Sequence, residues 1–360
     1  MQIIISLLIS TSLALPESEE SYPNFSLKTM VAWTYQHASK TLDGMPHAKA
    51  SFYFDMSGAL TTWSDDHSFG KINYDIQGAV AGGTPINPMM ADLLGNSMSS
   101  NNLITSEELE LSTLVWEQQV HEGFTFRIGK FREAAHFDQN AIAFDSVSGF
   151  LAENFNQSIT NPFPNYGFGA NVDLALNDST LLALGVVNSE PHGVHTSGIA
   201  GISWEHLLTT AQLTFTRHLK INDTNRLGHY RFLIWNNGVN NPNGTDNING
   251  WGGLFNFDQE ISDAITVFAR IGWCDEQVTI SDFSASAGFQ LVLDESNEKS
   301  MGLAYQYADL TSGGQQKVAE WYYRTRWEDS KLYIGPVIQY YEDENINGSL
   351  VLGFRSTLSF

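Results

Sequence analysis

The chain has 360 residues and a net charge of −22, with 42% hydrophobic, 12% aromatic and only 16% charged residues. An acidic balance of this size argues against a nucleic-acid binder, which needs a basic face. A single cysteine, Cys274, excludes an internal disulfide and a zinc ribbon.

Residues 1–14 form a short apolar run ending in Ser12-Leu13-Ala14, followed by acidic residues from Glu17 to Glu20. The pattern is that of a secretory signal peptide, leaving 15–360 as one domain. The run is too short to span a membrane as a helix, and no later segment supplies the ~20 apolar residues a spanning helix needs.

From there the chain alternates with a period of two. Ala48, Ala50, Phe52, Phe54 and Met56 alternate with Lys49, Ser51, Tyr53, Asp55 and Ser57. Tyr166, Phe168, Ala170, Val172 and Leu174 alternate with Gly167, Gly169, Asn171 and Asp173. This is strand periodicity. About sixteen such segments are expected, near 24–36, 47–60, 69–80, 109–120, 124–131, 166–176, 180–188, 208–219, 227–237, 250–260, 264–274, 282–293, 300–309, 318–328, 331–341 and 349–360. Most approach the ~9–11 residues a tilted strand needs to cross a bilayer. The weaker alternation over 197–206 reads as loop or as an extension of the next strand.

The connections sort by parity. The longest, such as 81–108, 132–165 and 189–207, are all odd in order, and the tightest, such as 121–123, 177–179 and 329–330, are all even. Short periplasmic turns on one side and long outer loops on the other are expected of an all-β transmembrane antiparallel β-barrel. The last strand alternates through Leu350, Leu352, Phe354, Ser356 and Leu358 to a terminal Phe360. Bacterial outer-membrane barrels commonly end this way, which makes outer-membrane lipid and the barrel-assembly machinery expected partners.

Lipid-facing positions must be apolar, because a Lys or Arg at mid-membrane costs ~2–4 kcal/mol. The charged phase therefore faces the lumen: Asp55, Lys71, Asp75, Glu117, Arg127, Asp173, Arg231, Asp258, Arg270, Glu320, Arg324, Arg326 and Arg355. Several of these charges are expected to pair. A few Arg and carboxylate groups meeting at a constriction would hydrogen-bond a polar solute, since guanidinium offers five donors in one plane. Trp251, Trp321, Trp327 and Tyr323 fall on the outward phase and suit aromatic girdles. Trp235 falls inward beside Arg231, where it either stacks on a solute or packs. The long segment 132–165 has a mixed composition suited to folding into the barrel and narrowing it; the alternative is an external lid.

Certain blocks then resemble a known family. Trp116-Glu117-Gln118-Gln119-Val120, Arg127-Ile128-Gly129-Lys130-Phe131, and Phe137-Asp138 with Asn140 come first. Gly185-Val-Val-Asn-Ser-Glu-Pro191, Gly250-Trp251-Gly252-Gly253, Trp321-Tyr-Tyr-Arg324, Gly335-Pro336 and Leu352-Gly-Phe-Arg355 follow in order. Together they resemble the carbohydrate-selective outer-membrane porins of the OprB type. The resemblance implies a sixteen-stranded barrel passing monosaccharides, glucose above all, by facilitated diffusion. It implies Glu117 and Arg127 at the constriction, with Phe137 and Asp138 from the inward loop. Phase counting alone adds Arg231, Trp235, Arg270, Arg324, Arg326 and Arg355.

The main alternative is a general-diffusion porin for ions and small solutes. A barrel enzyme would need a nucleophile and base in reach of each other; Thr216 and His218 share a face, but no Gly-x-Ser-x-Gly elbow is present. His192 and His195 have the spacing of half a metal site without a third ligand nearby, so no metal or other cofactor is expected. The Asn- and Gly-rich stretch 238–249 reads as a flexible turn rather than a calcium loop. A homotrimer is a possible assembly.

Overall fold

In a computed structural model, the described residues are 24–81, 94, 98–103, 109–164, 166–188, 207–238, 250–275, 278–328 and 330–360. The leader-like run, the 197–206 stretch, the His192/His195 pair and the 239–249 segment lie outside them.

Sixteen strands form: β1 Asn24–Ala38, β2 Ala48–Ser64, β3 Phe69–Ala81, β4 Glu110–His121, β5 Phe124–Phe131, β6 Gly167–Asn177, β7 Thr180–Asn188 and β8 Leu207–Ile221. They continue as β9 Thr224–Asn237, β10 Gly250–Glu260, β11 Ile265–Cys274, β12 Ser281–Val292, β13 Lys299–Leu310, β14 Gln315–Arg326, β15 Leu332–Glu342 and β16 Ser349–Ser359. Each pairs antiparallel with its sequence neighbours, and β1 pairs with β16 to close the barrel. Closure leaves no strand edge unpaired, as hydrocarbon surroundings require.

The alternation has the expected physical meaning. Along β14, Val318, Glu320 and Tyr322 are buried toward the interior, while Ala319, Trp321 and Tyr323 point the other way. The outward face carries exposed apolar side chains on most strands of the wall, among them Phe52, Ile128, Phe232, Ile271, Leu303 and Leu352. Trp251, Trp273 and Phe283 lie outward near the long loops, and Phe25 stacks on Tyr74 (5.9 Å) near the short turns. Two aromatic belts at opposite ends match the two interfaces of a bilayer.

Connections after β2, β4, β6, β8, β10, β12 and β14 are short, and those after the odd strands are mostly longer. The connection after β5 turns inward. It contains a 3-10 turn, Glu133–Ala135, and one helical turn, α1, Glu153–Asn156. Among the described residues three buried apolar clusters occupy the barrel interior, and each draws on this connection, through Phe150 and Phe155, through Phe137 and through Ile159.

Candidate functional site: the inward loop and the passage beside it

The path of residues 132–164 is set by polar groups on the inward phase of the wall. Asp138, at φ 61°, is the first pivot. Its Oδ1 accepts from Arg270 Nε (2.8 Å) and Asn256 Nδ2 (2.7 Å), and its Oδ2 accepts from the Ser158 backbone N–H (2.8 Å). The rest of the Arg270 guanidinium donates to the carbonyls of Phe155 (2.6 Å), Ala143 (2.6 Å) and Asp138 (3.0 Å). One side chain on β11 thus grips the loop at three separate points. Only a planar, multi-donor cation does this without leaving a buried carbonyl unsatisfied.

Further along, Glu320 on β14 accepts from the backbone N–H groups of Leu151 (2.6 Å) and Ala152 (2.8 Å). Arg355 on β16 donates to the Ser146 carbonyl. Asn140 donates to Asn256 Oδ1 (2.7 Å) on β10. Phe150 packs edge-on against Tyr322 (5.1 Å) and beside Phe155 (5.2 Å). The loop is pressed onto the wall: a Cβ added at Gly272 would come within 2.1 Å of Thr160 Oγ1.

These contacts correct several expectations. The sequence places Phe137, Asp138 and Arg270 at the constriction and leaves Trp235 between stacking on a solute and packing; all four are almost fully buried. Phe137 fills a cluster with Trp235, Leu208, Leu233 and Leu254, so Trp235 packs and offers no ring face to a solute. Asp138 and Arg270 spend their bonding capacity on each other and on the loop. Arg355 does the same with Ser146 and lies over the Tyr322 ring at 5.8 Å. Arg326 belongs to the short-turn rim, where it pairs with Glu298. Arg324 lies over the Tyr333 ring at 4.7 Å.

With the loop held against β8–β16, open space remains along β1–β4. A cavity of about 450 Å³ lies there, a size ordinary for small-molecule sites. Its strand side presents Lys28, Tyr53, Asp55, Asp75 and Gln77, and its loop side presents Arg132, Phe144, Asp145 and Val147. Tyr53 Oη donates to Gln77 Oε1 (3.0 Å) and reaches Asp55 Oδ2 (3.3 Å). None of the ten residues expected at the constriction borders this cavity. Asp55 and Asp75 were readable as inward by phase alone. Arg132, Phe144 and Asp145 carried no such signal, because an irregular loop has no period.

Toward the short turns the same wall continues into a chain of charges. Lys71 Nζ meets Glu117 Oε1 (3.0 Å), and Arg127 Nε meets Glu117 Oε2 (2.9 Å). Arg127 Nη1 reaches Asp173 Oδ2 (2.7 Å), whose other oxygen is 2.9 Å from His136 Nε2. This network crosses β3 to β6 and ties in the start of the loop. The Arg127 side chain keeps 23% of its surface and Lys71 29%, so both stay partly open to the lumen. Across the barrel, Arg231 and His229 share Asp258 at 2.6 and 2.7 Å, with Arg231 mostly covered.

Comparison with known proteins agrees with this architecture. The sequence profile described as "Carbohydrate-selective porin, OprB family" matches residues 80–360. No curated protein sequence matches the chain. Among solved structures, a high-pH structure of Pseudomonas putida OprB is similar with a TM-score of 0.74 at 12% identity, covering 93% of this chain and 94% of that one. A low-pH structure of the same protein gives 0.56 at 13% identity over 94% and 92%. An engineered Rh. blastica porin gives 0.58 at 12% identity over 94% and 100%. At such identities the structures speak for the fold, and the profile over more than three quarters of the sequence speaks for the family. A closed sixteen-stranded barrel with an inward-folded loop thus belongs, by its sequence, to the carbohydrate-selective porins of the OprB family.

Proposed function

We propose that this porin resides in a bacterial outer membrane and passes small neutral sugars, glucose among them, by diffusion between the β1–β5 wall and the inward loop. The observation that carries the reading is the anchored loop. It fills the β8–β16 side and leaves a passage bordered by phenol, carboxamide, carboxylate and guanidinium groups in close succession. Such a lining exchanges hydrogen bonds with vicinal hydroxyls as their hydration is shed, at a binding strength low enough for release. The partly exposed Arg127, held by Glu117 and Asp173, is the group best placed to donate to a solute leaving the cavity toward the short turns. A passive channel needs no nucleophile, so the lumen charges act in binding and in holding the loop.

Phe360 fits a role as the assembly signal. It follows β16 directly, with its backbone N–H bonded to the Thr29 carbonyl (2.9 Å) and its side chain exposed.

The test is liposome swelling with the refolded chain, comparing glucose with an uncharged non-sugar solute of similar size. Faster swelling in glucose, reduced severalfold in Arg127→Ala, supports the sugar reading. Equal swelling in both solutes would replace it with general diffusion through the same barrel.

A further inference from the structure

Glu133 opens the 3-10 turn at the start of the inward loop and is fully buried. Neither carboxyl oxygen has a hydrogen-bond partner. The side chain is pressed against β7 at Gly185, where an added Cβ would lie 2.6 Å from Glu133 Oε1 and 2.7 Å from the Phe137 ring. The buried Thr210 on β8 offsets the burial only in part.

No charged neighbour among the described residues compensates the carboxyl. β7 has no ionisable side chain over its length. On β8 the charged groups are at the short-turn end, where Arg217 is bonded to Ser179. On the loop itself, Arg132 donates to Gln157 and His136 is engaged by Asp173. Burying an ionised carboxylate without a partner costs far more than burying the neutral acid. Burial accordingly pushes the Glu133 carboxyl up to about 8.

We propose that Glu133 is a proton-operated latch on the constriction: the neutral carboxyl lets the 133–135 turn seat against β7 and β8, and losing the proton drives that turn off the wall into the passage. The direction follows from the geometry. Arg132 and Ala135 already border the cavity, so a turn leaving the β7–β8 wall moves into it. The Asp138–Arg270 clamp lies immediately downstream and confines the motion to residues 132–137. The proton passes to lumen water. The sign is that of a carboxyl with a raised value: the seated form is favoured at low pH and is lost as pH rises through about 8.

The latch does not depend on which solute the pore carries, so its test uses ions. Single-channel conductance of the full chain in planar bilayers is followed from about pH 6.5 to about pH 9.5 at constant salt, in wild type and Glu133→Gln. Wild-type conductance is expected to fall by about half around the titration of the carboxyl, and Glu133→Gln to hold the open value throughout. A flat wild-type profile, or the same fall in Glu133→Gln, overturns the proposal. The second case would assign the response to another group. Amide exchange of wild type supplies a readout free of any variant. The His136 and Phe137 amides both donate to the Glu133 carbonyl. They should lose protection over the same pH interval beyond the ordinary base-catalysed increase, and retained protection there refutes the latch.

Discussion

Replacing Arg270 with alanine should open the pore without dissolving the barrel. Arg270 is 2% exposed, and its partner Asp138 is equally sequestered. The substitution strands the Asp138 carboxylate without its cation and leaves the carbonyls of Ala143 and Phe155 without these donors. Removing one member of a buried ion pair costs about 3–5 kcal/mol, and the strand ladder does not share this loss. β11 keeps its backbone pairing with β10 and β12, because the register through Arg270 rests on main-chain bonds to Asn256 and Ser286. The cost therefore falls on loop docking, which also depends on Glu320, Asn140 and Arg355. A shift of about 3–5 kcal/mol in docking corresponds to a factor of more than a hundred in the docked-to-free ratio. Single-channel conductance should rise, and the glucose preference in swelling should shrink, while heat-resistant barrel mobility on gels persists. Asp138→Asn should produce a smaller version of the same change, and the double variant should fall short of the sum, since both remove one interaction. Wild-type conductance in Arg270→Ala, with the barrel intact, would refute the assignment of Arg270 as the clamp.

Three further outcomes follow from the same contacts. Gly272→Val should displace the loop without altering any charge, because even a Cβ at that position overlaps the Thr160 hydroxyl at 2.1 Å; protease cleavage within 132–164 should become faster than in wild type. Glu320→Ala removes the acceptor of two buried backbone N–H groups, each such charged bond being worth about 1.5–3 kcal/mol; amide exchange at Leu151 and Ala152 should accelerate by at least tenfold, and unchanged exchange would contradict the docking described. In the turn between β2 and β3, hydrogen bonds from the His67 backbone N–H, then the Ser68 hydroxyl and backbone N–H, hold the Asp65 carboxyl below its ordinary value. That turn should keep its amide protection above the ordinary aspartate range and lose it as pH falls through the lowered value, whereas Asp65→Ala should show weak protection at every pH.

Much of the barrel is legible in the sequence. A side chain facing lipid must be apolar whatever its neighbours are, so the period of two carries the strand count, the inward phase and the parity of the loops. Asp55, Asp75, Glu117, Arg127 and Arg270 were all readable as inward for that reason. Strand closure was readable too, since hydrocarbon surroundings leave an even antiparallel set no stable open edge.

What the sequence left undetermined is which inward residues meet a solute. Arg127 and Arg270 occupy equivalent phases on β5 and β11, yet one keeps part of its surface in the lumen and the other is buried beneath the loop. The difference arises only from the path of residues 132–164, a segment without periodicity whose course is fixed by long-range bonds from Asp138, Asn140, Leu151 and Ala152 to β10, β11 and β14. Local spacing determines the facing of a strand residue because the backbone imposes it. The covering of that residue depends on where an irregular loop finds its hydrogen-bond partners, and those partners lie more than a hundred residues away in sequence. The sequence alone therefore determined the barrel and its lumen face, and the tertiary structure decided which part of that face remains open as the passage.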